Sequence, residues 1–216
     1  MKTLKQKIYE TLKKEISGGV YSPGTQMHEQ ELAERFQSSR SPVRETLRQL
    51  VSDGLLVEFP NRGVFVKKYT AKDIEDIFDL RTLLENYAIR HIDNVSPENL
   101  RILNRALEDL EACHKAGNLE DYIAEDAKLH HKIVSMSKNN LVISTYERTA
   151  DMMQQFRIYS LKSLQRFHES VDEHTQIIRA LLDDDREEAV RINSKHLLLA
   201  KEAIITYLNE KYPENK

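Results

Sequence analysis

The chain has 216 residues, of which 40% are hydrophobic and 31% charged, and this length suits two modest domains. Six glycines and five prolines are too few for a collagen-like chain or an all-β fold with many turns. No stretch approaches the roughly 20 apolar residues of a membrane span, and the charged N-terminus does not resemble a secretory signal. Cys113 is the single cysteine, so we expect a cytoplasmic protein without an internal disulfide.

The charges are distributed unevenly along the chain. Residues 1–70 contain 12 Lys and Arg against 8 Asp and Glu, whereas residues 71–216 contain 20 against 27. A basic first part joined to an acidic second part indicates that only the first part contacts a polyanion.

The first part is predicted to contain three helices and a β-hairpin. The first helix covers residues 3–17, where apolar residues recur every four positions. After a short second helix, Ser41 is predicted to cap a third helix whose first residue is Pro42. Two β-prone runs, 55–59 and 64–68, flank a four-residue turn. This order predicts a winged helix-turn-helix.

After residue 69 a helical period continues to the end of the chain, with almost no glycine or proline. A capping box from Thr70 to Asp73 opens this region. Six helices are predicted, over about 70–92, 96–117, 119–136, 140–161, 165–182 and 186–208. We therefore expect a mainly α protein with a winged helix-turn-helix domain at 1–69 and an antiparallel all-α bundle at 70–216.

Basic residues surround the start of the third helix. Arg44 and Arg48 lie four residues apart on one face, and Arg40 lies just before them. A guanidinium group can donate two hydrogen bonds to guanine, and Arg62-Gly63 at the hairpin tip could reach a minor groove or the backbone. The alternative is that these arginines only increase solubility. The combination of helix and hairpin favours binding of double-stranded DNA.

The same region resembles the winged-helix domain of GntR-type bacterial transcription regulators over about residues 5–68. The resemblance rests on the runs Gln30-Glu31-Leu32-Ala33-Glu34-Arg35-Phe36, Ser39-Arg40-Ser41-Pro42-Val43-Arg44 and Asn61-Arg62-Gly63-Val64-Phe65-Val66. It implies that Arg40, Arg44 and Gly63 face the operator, with Gln30, Ser41 and Arg62 as weaker candidates. Arg48 lies further along the helix, where we expect either a contact with a DNA phosphate or no contact with DNA.

Four polar residues interrupt apolar stripes in the second part. Asp126 and His130 are four residues apart and point the same way from one helix, and His174 and His196 lie within apolar series of two later helices. A divalent metal would satisfy all four, and three imidazoles with one carboxylate suit Zn²⁺ or Ni²⁺. The alternative is a set of core histidines with ordinary hydrogen-bond partners. His131 is rotated about 100° away and fits this face poorly.

This region is similar to the helical ligand-binding domain, called FCD, of FadR-like GntR regulators. The similarity lies in Asp126-x-x-x-His130, Ser137-Lys138-Asn139, Glu173-His174-x-x-Ile177 and His196. It implies that one Asp and three His, carried over as Asp126, His130, His174 and His196, bind a metal. Leu129 departs from the family, which usually has an aromatic residue there.

Arg81 is a further charge on or beside an apolar stripe. It is either a buried partner of Glu85 or a residue whose planar guanidinium group binds a carboxylate ligand. In the resembling family the Arg81-to-Glu85 run borders the effector cavity. The sequence thus predicts a homodimeric regulator whose operator binding responds to a small organic acid at a metal centre. A metal-dependent hydrolase and a regulator with a purely structural metal are the alternatives.

Overall fold

The computed structural model of the protein describes residues 2–92 and 96–211, except for the side chain of Asp151. Contacts between Cα atoms divide the chain into two compact units. The first is Met1–Tyr69 with Ala150–Gln155, and the second is Thr70–Thr149 with Phe156–Lys216. No helix in the described ranges is long and apolar enough to cross a membrane.

The first unit contains three helices and a small antiparallel sheet. The helices are α1 (Leu4–Ser17), α2 (Glu29–Arg35) and α3 (Arg40–Ser52). The strands are β1 (Gln26–Met27), β2 (Leu56–Phe59) and β3 (Gly63–Val66), in the order β1-β3-β2. This arrangement confirms the predicted winged helix-turn-helix.

Local sequence explains α1 and its packing. Thr3 and Gln6 form a capping box at its start, which satisfies backbone N–H groups that have no partner within the helix. Ile8, Leu12 and Ile16 are fully buried and belong to one apolar core with α3. The predicted apolar stripe of α1 is therefore the face that anchors α3.

Two details of this unit differ from the sequence prediction. Helix α3 begins at Arg40 with Ser39 as its N-cap, two residues before the predicted start. Pro42 is tolerated there because the first turn needs no intrahelical acceptor for its N–H groups. Strand β1 was not predicted, since two residues are too short to show alternation. In the hairpin, Phe59 pairs with Gly63, so the turn has three residues rather than four.

The second unit is built from helices, as predicted. They are α4 (Ala71–Arg90), α5 (Pro97–Lys115), α6 (Leu119–Met136), α7 (Asn140–Leu161), α8 (Leu164–Leu182) and α9 (Arg186–Lys211). The bounds of α6 and α7 are those predicted, whereas α4 ends two residues earlier and α9 continues three residues further. Within this unit α4 packs on α6 and α9, and α8 packs on α5 and α9.

The core of the second unit includes the apolar faces of α6 and α8. Tyr122, Leu129 and Ile133 of α6 and Ile177 and Ile178 of α8 are almost fully buried. The same faces also carry buried polar side chains, which form the cluster described next.

Candidate functional sites

A buried cluster joins three helices of the second unit. It comprises Asp126 and His130 on α6, His174 on α8 and His196 on α9, none of which is more than 4% exposed. One potential ligand atom of each lies within 4.8 Å of the others. The Nε2 atom of His174 lies 3.1 Å from that of His130 and 3.3 Å from Oδ1 of Asp126. The structure thus brings together the four residues singled out in the sequence.

Two of these histidines are held by carboxylates on the side away from the cluster. The Nδ1 atom of His130 lies 3.0 Å from Oε2 of Glu85, and that of His196 lies 2.7 Å from Oε2 of Glu173. A carboxylate at Nδ1 favours the tautomer that carries its proton there. The Nε2 atoms of both rings are then available as acceptors or metal ligands.

The Nδ1 atom of His174 has hydroxyl neighbours, where those of His130 and His196 have a carboxylate. Its Nδ1 atom lies 3.4 Å from the Tyr122 hydroxyl and 3.5 Å from that of Ser170. Since a hydroxyl can both donate and accept, His174 can adopt either tautomer. With the proton on Nε2 it donates to His130, and with the proton on Nδ1 it offers Nε2 to a shared cation.

Burial sets the charge state of the cluster. It is the main cause of the lowered pKa values of His130 and His174, which are therefore neutral at neutral pH. Burial alone would raise the pKa of Asp126, but the surrounding histidines and Arg157 lower it below its usual value. Neutral imidazoles beside an ionised carboxylate are the forms that bind metal ions.

Arg81 fills one of the two roles that its sequence position allowed, that of a buried partner of Glu85. Its Nε donates to Oε1 of Glu85 at 2.6 Å, so it is a buried ion-pair partner. Its Nη2 atom is buried without a hydrogen-bond partner among the described residues. That second nitrogen remains available for a ligand.

Arg81 lines a cavity of about 20 Å³ that also reaches the cluster through Asp126 and His196. Arg157 and Arg166 complete its basic lining, and Nε of Arg166 is likewise buried without a partner in the described parts of the chain. The volume is enough for about one water molecule. Each of the three arginines is paired with a carboxylate: Arg81 with Glu85, Arg157 with Asp126 and Arg166 with Glu173.

Several of these residues were not identified from the sequence. Arg157 donates from Nε to Oδ2 of Asp126 at 2.6 Å, although it lies 31 residues away. Arg166 and Glu173 are seven residues apart, so they share a face of α8. The position of Glu173 next to His174 predicts that it points off the ligand face, yet its Oε2 lies 2.7 Å from Nδ1 of His196. His131 is exposed and pairs with Glu147 outside the cluster.

In the first unit, the residues proposed for DNA contact are all exposed: Gln30, Arg40, Ser41, Arg44, Arg48, Arg62 and Gly63. Arg44 donates from Nε and Nη2 to both carboxylate oxygens of Glu29, at 2.8 and 2.7 Å. Arg40 donates from Nη2 to Oε1 of Gln30 at 2.7 Å. Helix α2 thus positions the side chains at the start of α3.

The tip of the hairpin is held by the short strand β1. Nε2 of Gln26 donates to the carbonyl oxygen of Arg62 at 2.9 Å. Gly63 has a φ of +96°, and a Cβ atom there would lie 3.2 Å from Nε2 of Gln26. The positive φ favours glycine at this position, and a larger residue would also have to displace the end of the Gln26 side chain.

A winged helix-turn-helix with an exposed arginine-bearing helix, followed by a helical unit with a buried ligand-type cluster, is the architecture of a DNA-binding regulator with a second, helical domain. Comparison with known families agrees. Residues 4–66 match the family described as bacterial regulatory proteins, gntR family, and residues 76–199 match the FCD domain. The chain belongs to the GntR family and carries an FCD domain.

Similar proteins support this assignment. The uncharacterized HTH-type transcriptional regulator YdhC of Bacillus subtilis is 33% identical over 84% of this chain and 82% of its own length. The gluconate operon transcriptional repressor of the same species is 27% identical over 86% of this chain and 77% of its own. The relatives are transcriptional regulators, so this protein is a regulator and not an enzyme.

Solved structures share the fold. A GntR-type regulator from Rhodococcus sp. RHA1 has a TM-score of 0.78 at 22% identity, covering 94% of this chain and 97% of that one. The metal-free FCD domain of TM0439 has a TM-score of 0.59 at 22% identity, covering 66% of this chain and 99% of that one.

Proposed function

We propose that this regulator senses a small organic acid at a divalent metal centre. In this proposal residues 1–69 bind operator DNA, and residues 70–216 bind the metal and the acid. The observation that carries it is the buried convergence of three imidazole nitrogens and one carboxylate oxygen within 4.8 Å. Two of the three rings have Nδ1 engaged by a carboxylate, which directs Nε2 to the cluster.

Asp126, His130, His174 and His196 would hold the metal. Nitrogen ligands with one oxygen suit Zn²⁺ or Ni²⁺ better than Mg²⁺ or Ca²⁺, which prefer oxygen ligands throughout. When bound, the ion supplies a positive centre that attracts a carboxylate. The lowered pKa values of His130 and His174 support this assignment, because neutral rings bind metal without first losing a proton.

The cavity beside the cluster supports an acid as effector. Arg81 and Arg166 each have a buried nitrogen without a partner among the described residues, and a buried unsatisfied donor costs about 1–3 kcal/mol. A dicarboxylate, tricarboxylate or hydroxy acid would satisfy both. One relative is named for the gluconate operon, and gluconate is a hydroxy acid. A cavity of about 20 Å³ must enlarge to admit such a molecule, so binding must move side chains.

We propose that Arg40, Arg44 and Gly63 make the main contacts with DNA. Weaker contacts are assigned to Gln30, Ser41, Arg48 and Arg62. A homodimer in the cytoplasm would present two copies of α3 to a two-fold operator, with half-sites one helical turn apart.

Metal content tests the centre. Purified wild-type protein should contain about one divalent ion per chain by elemental analysis, and His174→Ala should lose it. His131→Ala is the matched control, because His131 neighbours a cluster residue but is exposed and pairs with Glu147. Equal metal in all three proteins, or none in the wild type after metal-supplemented purification, would refute the centre.

The small cavity also favours a second candidate, in which the metal is purely structural. Calorimetry with citrate, malate and gluconate separates the two. Acid binding that requires both the metal and Arg81 supports the sensor. A metal-loaded protein that binds none of these acids supports the structural role.

A further inference from the structure

We propose that Glu85 and Glu173 are positioning residues that link the acid cavity to the metal-binding histidines. This inference rests on the proposed metal centre. Each carboxylate lies between one histidine of the cluster and one arginine of the cavity wall.

The first link runs from α4 to α6. Oε1 of Glu85 accepts from Nε of Arg81 at 2.6 Å, and its Oε2 lies 3.0 Å from Nδ1 of His130. The Tyr146 hydroxyl also donates to Oε1. Glu85 is 1% exposed.

The second link runs from α8 to α9. Arg166 donates from Nη1 to Oε1 of Glu173 at 2.9 Å and from Nη2 to Oε2 at 3.0 Å. The same Oε2 lies 2.7 Å from Nδ1 of His196. The second link therefore has the same Arg–Glu–His order as the first link, although its residues lie on other helices.

Each arginine of the cavity wall has one guanidinium nitrogen that the glutamate does not use. Nη2 of Arg81 and Nε of Arg166 are buried and without partners in the described ranges, and both residues line the cavity beside Asp126. An acid bound there would share each guanidinium group with a glutamate. Each arginine is therefore placed to respond to the acid and to transmit that response to a carboxylate.

The chemistry of the two links predicts whether the acid strengthens or weakens metal binding. A carboxylate that accepts from Nδ1 of a ligand histidine fixes its tautomer and makes Nε2 a stronger metal ligand. An arginine reduces this effect by competing for the negative charge of the carboxylate. An acid that attracts the arginine leaves more of that charge to the histidine. The acid and the metal should therefore strengthen each other's binding, and by the same factor.

Isosteric variants test the positioning role. Glu85→Gln and Glu173→Gln should each weaken Zn²⁺ affinity by about 10–100-fold in a chelator competition. They should also change the visible absorption of the Co²⁺-loaded protein, which reports ligand geometry and would not respond to a general loss of stability. Glu147→Gln is the matched control, since Glu147 pairs with the non-cluster His131 and should leave both measurements unchanged.

A double variant guards against misfolding. Glu85→Gln alone leaves Arg81 buried without its counter-charge, whereas Arg81→Gln/Glu85→Gln removes both charges together. The double variant should fold and still bind Zn²⁺ more weakly than the wild type. Wild-type affinity and an unchanged Co²⁺ spectrum in the double variant and in Glu173→Gln would overturn the inference, as would an equal loss in Glu147→Gln.

Acids test the coupling itself. Saturating citrate, malate or gluconate should tighten Zn²⁺ binding to the wild type, and this gain should shrink in Glu173→Gln. If none of the three acids changes wild-type Zn²⁺ affinity, the coupling is wrong although the centre stands. If the wild type binds no metal, the proposed centre fails and this inference fails with it.

Discussion

Arg44 is held in a way that leaves it free to read a base. Glu29 occupies Nε and one hydrogen of Nη2, so the end of the guanidinium group retains N–H donors on Nη1 and Nη2. Those donors match O6 and N7 of guanine. Glu29 thus restricts the orientation of Arg44 without consuming the edge that would contact DNA.

We therefore expect Arg44→Ala to lose about 1–3 kcal/mol of operator affinity and to relax the preference at one base pair. The operator can be selected from random duplexes, and titrations against it and a scrambled duplex measure the change. Arg48→Ala is the comparison, since loss of a phosphate contact should weaken both duplexes alike and reduce the salt dependence. An Arg44→Ala protein with wild-type operator affinity would end the assignment of base readout to this residue.

The buried histidines make stability depend on pH. His130 and His174 have lowered pKa values in the folded protein, mainly through burial, whereas unfolded histidines titrate near pH 6.5. The unfolded state therefore takes up protons first, so the metal-free protein should lose stability as the pH falls below about 6.5. Urea unfolding across this range measures the slope. His174→Gln should flatten it and His131→Ala should not, and a stability independent of pH would contradict the prediction.

At the scale of elements, local signals located the helices well. The capping box at Thr70 and Asp73 placed the start of α4, and the long periodic segments placed α6 and α7. The start of α3 was misplaced because Ser39 and Ser41 are both suitable caps and proline is tolerated throughout the first turn. Strand β1 depends on pairing with β3, which follows it by about 40 residues, so no local pattern indicates it.

The candidate metal site could be predicted only in part, because some of its contacts lie within one helix and others join different helices. Asp126 and His130 share a helix, so their spacing was visible in the sequence. The partners Glu85 and Glu173 reach histidines on other helices, and only the packing of α4 on α6 and α8 on α9 brings them there.

The outer face of α4 predicts how the chain associates. Leu80, Leu83 and Tyr87 follow one another at helical spacing and are exposed, and Leu198 is exposed on the neighbouring α9. Apolar patches of this kind mark interaction surfaces, and a second copy would fit the proposed two-fold operator. Leu83→Glu should therefore shift a dimer towards monomer and weaken operator binding, as measured by sedimentation equilibrium and DNA titration.

Leu164→Glu is the matched control, because Leu164 is also 70% exposed but lies at the start of α8. A Leu83→Glu protein with the wild-type mass, or equal effects of the two variants, would exclude this face as the dimer interface.

At the scale of the whole molecule, an acid can change DNA binding only if it prefers one conformation of the regulator over another. Because the cavity has only about 20 Å³, side chains must move to admit an acid, and we expect the acid-bound protein to differ in conformation from this structure. Arg157 of α7 lines the cavity and donates to Asp126, so it contacts both the proposed acid site and a proposed metal ligand.

We therefore expect acid and operator to be coupled by about 1–3 kcal/mol, with the acid changing operator affinity by the same factor as operator changes acid affinity. Arg157→Gln should reduce this factor, whereas Arg148→Gln, an exposed arginine on the same helix, should preserve it. Operator titrations with and without citrate, malate or gluconate measure one side of the linkage, and calorimetry of the same acids with and without operator measures the other. If the acid binds and operator affinity does not change, the cavity binds a ligand that does not control DNA binding. If the factor survives in Arg157→Gln, the coupling does not depend on Arg157.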